Sequence, residues 1–198
     1  MKNLLFSLAF LSTICSTAYA QVEFGLKAGP MLSRTYISSN NDMIGTGFVD
    51  AKLSFLAGGF IRLPIGSQLG LQAELLYSRK GDESRDFGYV SIPLMLQYEF
   101  FPKLRAEAGV EVGYLLSIND GLDRGIFESH PFYGRMDVGL NAGLSYDVLE
   151  KLNIGLRYIL GVYDIYRPEF TTGFGSTTID DSDLKNHTLQ LSLGYRLK

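Results

Sequence analysis

Eight segments of this chain alternate apolar residues with polar or small ones at a period of two: 22–32, 53–63, 69–78, 89–100, 104–116, 132–146, 152–162 and 187–197. Each is about ten residues long or slightly more, the length a tilted strand needs to cross a bilayer. A period of two gives every segment two unlike faces. The stretch LRAEAGVEVGYLL, 104–116, sets Arg105, Glu107 and Glu111 against Leu104, Ala106, Ala108, Val110, Val112 and Tyr114. In a water-soluble sheet the apolar face turns inward, whereas in a membrane barrel it turns out into lipid, and alternation alone does not separate the two.

The connections help to separate them. Long polar ones follow the first, third, fifth and seventh segments (33–52, 79–88, 117–130, 163–186), and tight ones follow the second, fourth and sixth (64–68, 101–103, 147–151). In an up-and-down sheet alternate connections lie at opposite ends, so the long loops gather at one rim and the turns at the other. That asymmetry is typical of outer-membrane barrels. No apolar run after residue 20 approaches the ~18 residues of a membrane helix, so strands must make any crossing.

Side-chain volume then assigns the faces. One parity collects about thirty large residues, among them Phe24, Leu26, Phe55, Leu75, Leu94, Val110, Leu140, Leu156 and Leu191. The interior of an eight-stranded barrel is only just wide enough for side chains and cannot take them all. The opposite parity carries glycines such as Gly25, Gly58, Gly109, Gly143 and Gly194, which suit a crowded concave surface, so the large residues are expected outside and the small ones inside. The inward parity also holds Glu23, Lys27, Arg62, Glu74, Glu99, Arg105, Glu107, Glu111, Asp137, Arg157 and Arg196, with Gln72, Gln97, Asn141 and Gln190. Acids and bases nearly cancel there. A narrow lumen of balanced charge is expected to close itself with ion pairs and hydrogen bonds, because an unpaired buried charge is costly. A slip of one residue would instead place these charges in lipid, at roughly 2–4 kcal/mol for each Arg or Lys near the midplane. Pro93, lacking a ladder donor, is expected to mark a bulge on the inward face of the fourth segment.

Aromatic positions point the same way. Tyr77, Tyr114 and Tyr158 fall toward the loop ends of their segments, and Tyr98, Phe100, Tyr146 and Tyr195 toward the turn or terminal ends. Because strand direction alternates, they form two belts, as expected at two membrane interfaces.

Residues 1–20, MKNLLFSLAFLSTICSTAYA, have a lysine, an apolar stretch and an Ala-Tyr-Ala ending. They are expected to be a secretory signal peptide cut after Ala20, leaving 21–198 as one barrel domain in the outer membrane. The single cysteine, Cys15, lies in the segment to be removed; Ser12 and Ile14 do not fit a lipidation site there. The mature chain is then without thiol chemistry. Losing Lys2 from the 18 basic residues leaves 17 against 21 acidic ones, a balance that argues against nucleic acid.

The segments FLAGGFIRLPI (55–65), LQAELLYSRKG (71–81), YVSIPLMLQYEF (89–100) and AEAGVEVGYLL (106–116) carry a family likeness. The chain resembles the small porin-family, or PorT-like, outer-membrane β-barrel proteins of the Bacteroidota along essentially the whole mature chain. The resemblance implies an eight-stranded barrel inserted into outer-membrane lipid by the barrel-assembly machinery. It supplies no catalytic residues, and the family's roles are mixed, protein secretion among them. Such chains usually end on an aromatic residue; here the end is LSLGYRLK, with Tyr195 and Leu197 as stand-in anchors.

The loops offer little chemistry. His130 beside Ser129, and His187 near Ser182 and Asp183, match no catalytic spacing and read as solvated bystanders, so no enzyme activity is expected. Asp180, Asp181 and Asp183, with Asn119, Asp120 and Asp123, do not follow the calcium-loop pattern, so no metal or cofactor is expected. Ile126, Phe127, Phe132 and Tyr133 in GIFESHPFYGR (125–135) suggest a contact for a protein partner at the long loops, Phe132 being also of outer-face parity. The expected role is structural or interactive, in envelope integrity or beside a secretion system. A narrow non-specific channel and a soluble periplasmic ligand-binding barrel are the alternatives.

Overall fold

The computed structural model describes residues 22–38, 47–48, 51–81, 86–119, 135–162 and 183–198. The signal segment, most of the long connections and, of the loop residues read above, Asp120, Asp123, Ile126, Phe127, Ser129, His130, Phe132, Tyr133, Asp180, Asp181 and Ser182 fall outside them, whereas Asn119 and Asp183 are strand ends. Nine strands follow in chain order: β1 (Glu23–Ser38), β2 (Gly47–Phe48), β3 (Lys52–Ile65), β4 (Leu69–Gly81), β5 (Asp86–Phe101), β6 (Leu104–Asn119), β7 (Met136–Leu149), β8 (Leu152–Gly161) and β9 (Asp183–Arg196). Among the described residues no helix is long and apolar enough to cross a membrane.

Apart from the two-residue β2, which pairs with the end of β1, each strand lies antiparallel beside the next, and β1 also pairs with β9. The sheet therefore closes into an eight-stranded up-and-down barrel. At the seam Leu197 N–H donates to the Phe24 carbonyl at 2.9 Å, and Phe24 N–H to that of Lys198 at 3.2 Å. Following rungs around the wall from Glu23 leads through Arg62, Gln72, Met95, Gly109, Asn141, Ile159 and Thr188 to Ser33. The circuit returns to β1 roughly ten residues on, the stagger that tilts the strands and sets the bore width.

The faces divide as volume demands. Most of the large residues of the outward parity, from Phe24 to Leu197, are exposed, while some, among them Leu63, Leu104 and Val138, are half-buried. Glu74, Glu107, Glu111, Asp137 and Arg157 are buried on the other parity. The tight connections shrink to Gly66–Gln68, Pro102–Lys103 and Glu150–Lys151, with Gly66 and Lys103 at positive φ (72° and 69°).

Three details differ from expectation. Strands β1, β4, β5, β6 and β9 run three residues or more further toward the long-loop rim, because polar residues such as Ser33 and Lys80 continue the ladder where the apolar alternation fades. Pro93 is inward but causes no bulge: pairing of β4 with β5 stops at Ala73–Leu94 and resumes at Leu76–Ser91 in the same register. A missing N–H removes rungs without adding a residue. The register shifts instead fall at Gly88/Tyr89, at Glu99/Phe101 and at Asp147/Leu149. Finally, the bore is not filled by glycines and charges alone. Met31, Leu56, Phe60, Leu76, Phe87, Tyr89, Met95, Leu115 and Ile159 are buried in it. Glycines make their room: a Cβ at Gly25 would meet the Phe60 ring, one at Gly109 Met95 Sδ, and one at Gly139 the Ile159 methyl. Small residues thus lie under large ones on neighbouring strands, as the taper of a small barrel requires.

Candidate functional site, the bore

Strands β1, β4, β6 and β8 are alternate staves of the barrel, and each sends one charge into its middle: Lys27, Glu74, Glu107 and Arg157. Glu74 and Arg157 come from opposite walls. Arg157 Nη1 donates to Glu74 Oε2 at 3.1 Å, and Nη2 donates to Glu74 Oε1 at 2.8 Å and to Glu107 Oε2 at 2.9 Å. Lys27 Nζ reaches Glu74 Oε1 at 2.6 Å. With two cations and two anions the layer is neutral. Arg157 is 2% exposed, so its charge rests on these carboxylates rather than on water.

A polar chain descends from this layer to the turn-end rim. Gln72 Nε2 donates to Glu74 at 2.6 Å, and Gln97 Nε2 donates to Gln72 Oε1 at 3.0 Å and to Glu107 Oε1 at 2.8 Å. Arg62 donates to Gln97 Oε1 at 2.7 Å and to Glu23 at 3.0 Å, while Arg196 bridges Glu23 at 3.2 Å and Asp147 at 3.5 Å. Arg105 grips both Asp147 oxygens, at 2.6 and 2.7 Å, the fork geometry in which guanidinium and carboxylate match. Glu99 stands further off, 3.9 Å from Arg105, and is partly open to solvent.

A second cluster lies toward the loop rim. Lys80 Nζ is 2.7 Å from Glu111 Oε1 and 3.1 Å from Asp137 Oδ2, and it sits 5.4 Å from the centre of the Tyr89 ring. Phe87, Tyr89 and Leu115 pack together there.

The structure thus brings the eleven charged residues of the inward parity into two groups, and adds two that sequence reasoning missed. Lys80 and Asp147 fall in the stretches 79–88 and 147–151, which read as connections. The signal was available, since Gln72, Glu74, Leu76, Ser78 and Lys80 continue one parity, as do Asp137, Asn141, Ser145 and Asp147. Of the aromatic residues, Tyr77, Tyr114 and Tyr158 are exposed on the outer face near the loop rim, and Tyr98, Phe100, Tyr146 and Tyr195 near the turn rim. Arg135 donates to the Tyr114 hydroxyl at 3.0 Å.

His187 is not a loop residue. It stands within β9 with its Nδ1 2.9 Å from the Tyr158 hydroxyl, on the outer face. Among the described residues no group of three His, Cys, Asp or Glu is arranged to hold a metal ion.

The fold matches solved structures. Ail, the attachment invasion locus protein of Yersinia pestis, superposes with a TM-score of 0.52 at 17% identity, covering 89% of this chain and 99% of Ail. Neisserial surface protein A gives 0.50 at 15% identity, covering 87% and 96%. At these identities the likeness is one of fold. Curated protein sequences yield no match. Residues 16–167 match the family described as "Outer membrane protein beta-barrel domain". With an apolar outer wall, a charged and closed bore and that match over most of its length, the chain belongs to the outer membrane protein β-barrel domain family.

Proposed function

We propose that this protein is a small, non-conducting outer-membrane barrel of the porin-like, PorT-like type, exported by a signal peptide cleaved after Ala20, whose role is structural or interactive. The layer of Lys27, Glu74, Glu107 and Arg157 carries this reading. It crosses the bore from wall to wall with its charges paired, so an ion would have to break several charge-assisted bonds to pass. Tyr77, Tyr114 and Tyr158 at one end, and Tyr98, Phe100, Tyr146 and Tyr195 at the other, serve as the two interfacial belts. The long connections leave from one rim, outside the cell, and are where a protein partner would engage, as in a surface protein.

Planar-bilayer recording tests the reading. The purified barrel is expected to insert without steady unitary currents in molar salt; regular ion-conducting steps would overturn the closed bore in favour of a narrow channel. Fractionation separates the soluble alternative: the protein is expected to sediment with envelopes and to show a heat-dependent shift in gel mobility. Release with the periplasm would refute membrane placement.

A further inference from the structure

The outer wall is not evenly bulky. Where β5, β7, β8 and β9 present Leu94, Leu140, Leu156 and Leu191, strands β1, β3 and β4 present Ala28, Ala57, Gly59 and Ala73. Around the Ala28–Ala57 rung the wall sinks into an open groove of about 660 Å³ edged by Leu26, Leu193 and Tyr195. A second groove of about 340 Å³ lies beside it over Gly59, Ile61 and Ala73. The lining is apolar, and filling it recovers dispersion contacts that a flat wall would make with disordered lipid tails.

The same seam changes character toward the loop rim. Six residues beyond Ala28, Arg34 is exposed on the outer face of β1, and its rung partner on β9 is His187. The next outward rung pairs Tyr36 with Lys185. The His187 ring lies between two tyrosines, 6.0 Å from Tyr36 and 6.2 Å from Tyr158 by ring centres. Basic groups and phenols therefore share one patch. At about 3.3 Å per residue and a strand tilt near 40°, Arg34 stands roughly 15 Å above Ala28 along the barrel axis. That is one leaflet of a hydrocarbon core about 30 Å thick. A headgroup site and the Ala28 end of a chain-sized recess are thus aligned on one seam, one leaflet apart, the recess continuing toward Tyr195 at the turn rim.

We propose that the β1–β9 seam binds a phosphorylated lipid of the outer leaflet, its phosphate on Arg34 with His187 and Lys185, and one acyl chain laid down the seam into the Ala28–Ala57 groove. Arginine matches phosphate oxygens in a bidentate fork, and tyrosine hydroxyls at headgroup depth add donors. A soluble anion would have no use for the groove, and an uncharged lipid none for the arginine. The inference rests on the outer-membrane placement proposed above.

Native mass spectrometry of the purified protein in non-ionic detergent tests it, with lipid A, enzymatically dephosphorylated lipid A and inorganic phosphate as probes. The wild type is expected to retain lipid A about tenfold better than the dephosphorylated form, and inorganic phosphate should not displace it. Arg34→Gln and, separately, Ala57→Phe are each expected to lower lipid A retention at least fivefold while keeping the heat-dependent gel shift. Equal retention of the two lipids, displacement by inorganic phosphate, or unchanged retention in both variants would overturn the site. If a substitution abolishes the gel shift, the wild-type comparison of the two lipids decides. Failure of the outer-membrane reading is distinguishable, since the wild type itself would then show no gel shift.

Discussion

Glu74 accepts from three side chains at once, Lys27, Gln72 and Arg157. Replacing it with leucine strands the buried Lys27 and leaves Arg157 with Glu107 alone, which is expected to cost about 3–5 kcal/mol, read as a lowered urea midpoint for the gel-shifted form in vesicles. The double variant Glu74→Leu/Arg157→Met leaves Lys27 and Glu107, one charge of each sign, and should therefore lose less than the sum of the two single changes. Residue identity was legible wherever parity was unbroken, which is why Lys27, Glu74, Glu107 and Arg157 could be placed inside from the chain alone. Which acid meets which base was not legible. Glu74 and Arg157 lie 83 residues apart, and only the order of the staves puts them on facing walls. His187 opens the last alternating segment, so its strand position was legible, but its contact with the Tyr158 hydroxyl was not.

The strands and turns are constrained more tightly than their composition suggests. Lys103 occupies a left-handed conformation in the two-residue turn between β5 and β6, where a β-carbon is unfavourable. Lys103→Gly is expected to stabilise the barrel by up to about 1 kcal/mol, and Gly66→Ala in the β3–β4 turn to destabilise it by about as much, both measured by urea titration. On the wall, Leu140 faces outward in the middle of β7. Leu140→Arg is expected to cost about 2–4 kcal/mol in a bilayer. The existence and facing of the eight long strands followed from alternation, but their loop-side ends did not. There the ladder hydrogen bonds, which any residue except proline can make, carry the strands past the point where apolar patterning stops. Pro93 misled for a related reason: a lost donor interrupts pairing, whereas a bulge needs an additional residue.

For the whole molecule, closure is the decisive event. With β1 paired to β9 no edge is left among the long strands, and the backbone ladder runs round the whole ring, broken only locally, as at Pro93. The closed ring is expected to unfold in one step, with the gel shift and the far-ultraviolet strand signal lost together in urea; separate transitions would show that the β1–β9 seam opens first. The chain by itself determined that this protein is a barrel with its apolar face outward, because alternation, strand length, loop asymmetry and side-chain volume are local properties that sum to one solution. Tertiary structure alone decided which groups meet inside the bore. The stagger of roughly ten residues brings alternate strands to one level, seats large residues such as Phe60 over glycines, and recruits Lys80 and Asp147 into the network. Those pairings depend on relative height around a closed ring, a quantity that no single strand contains.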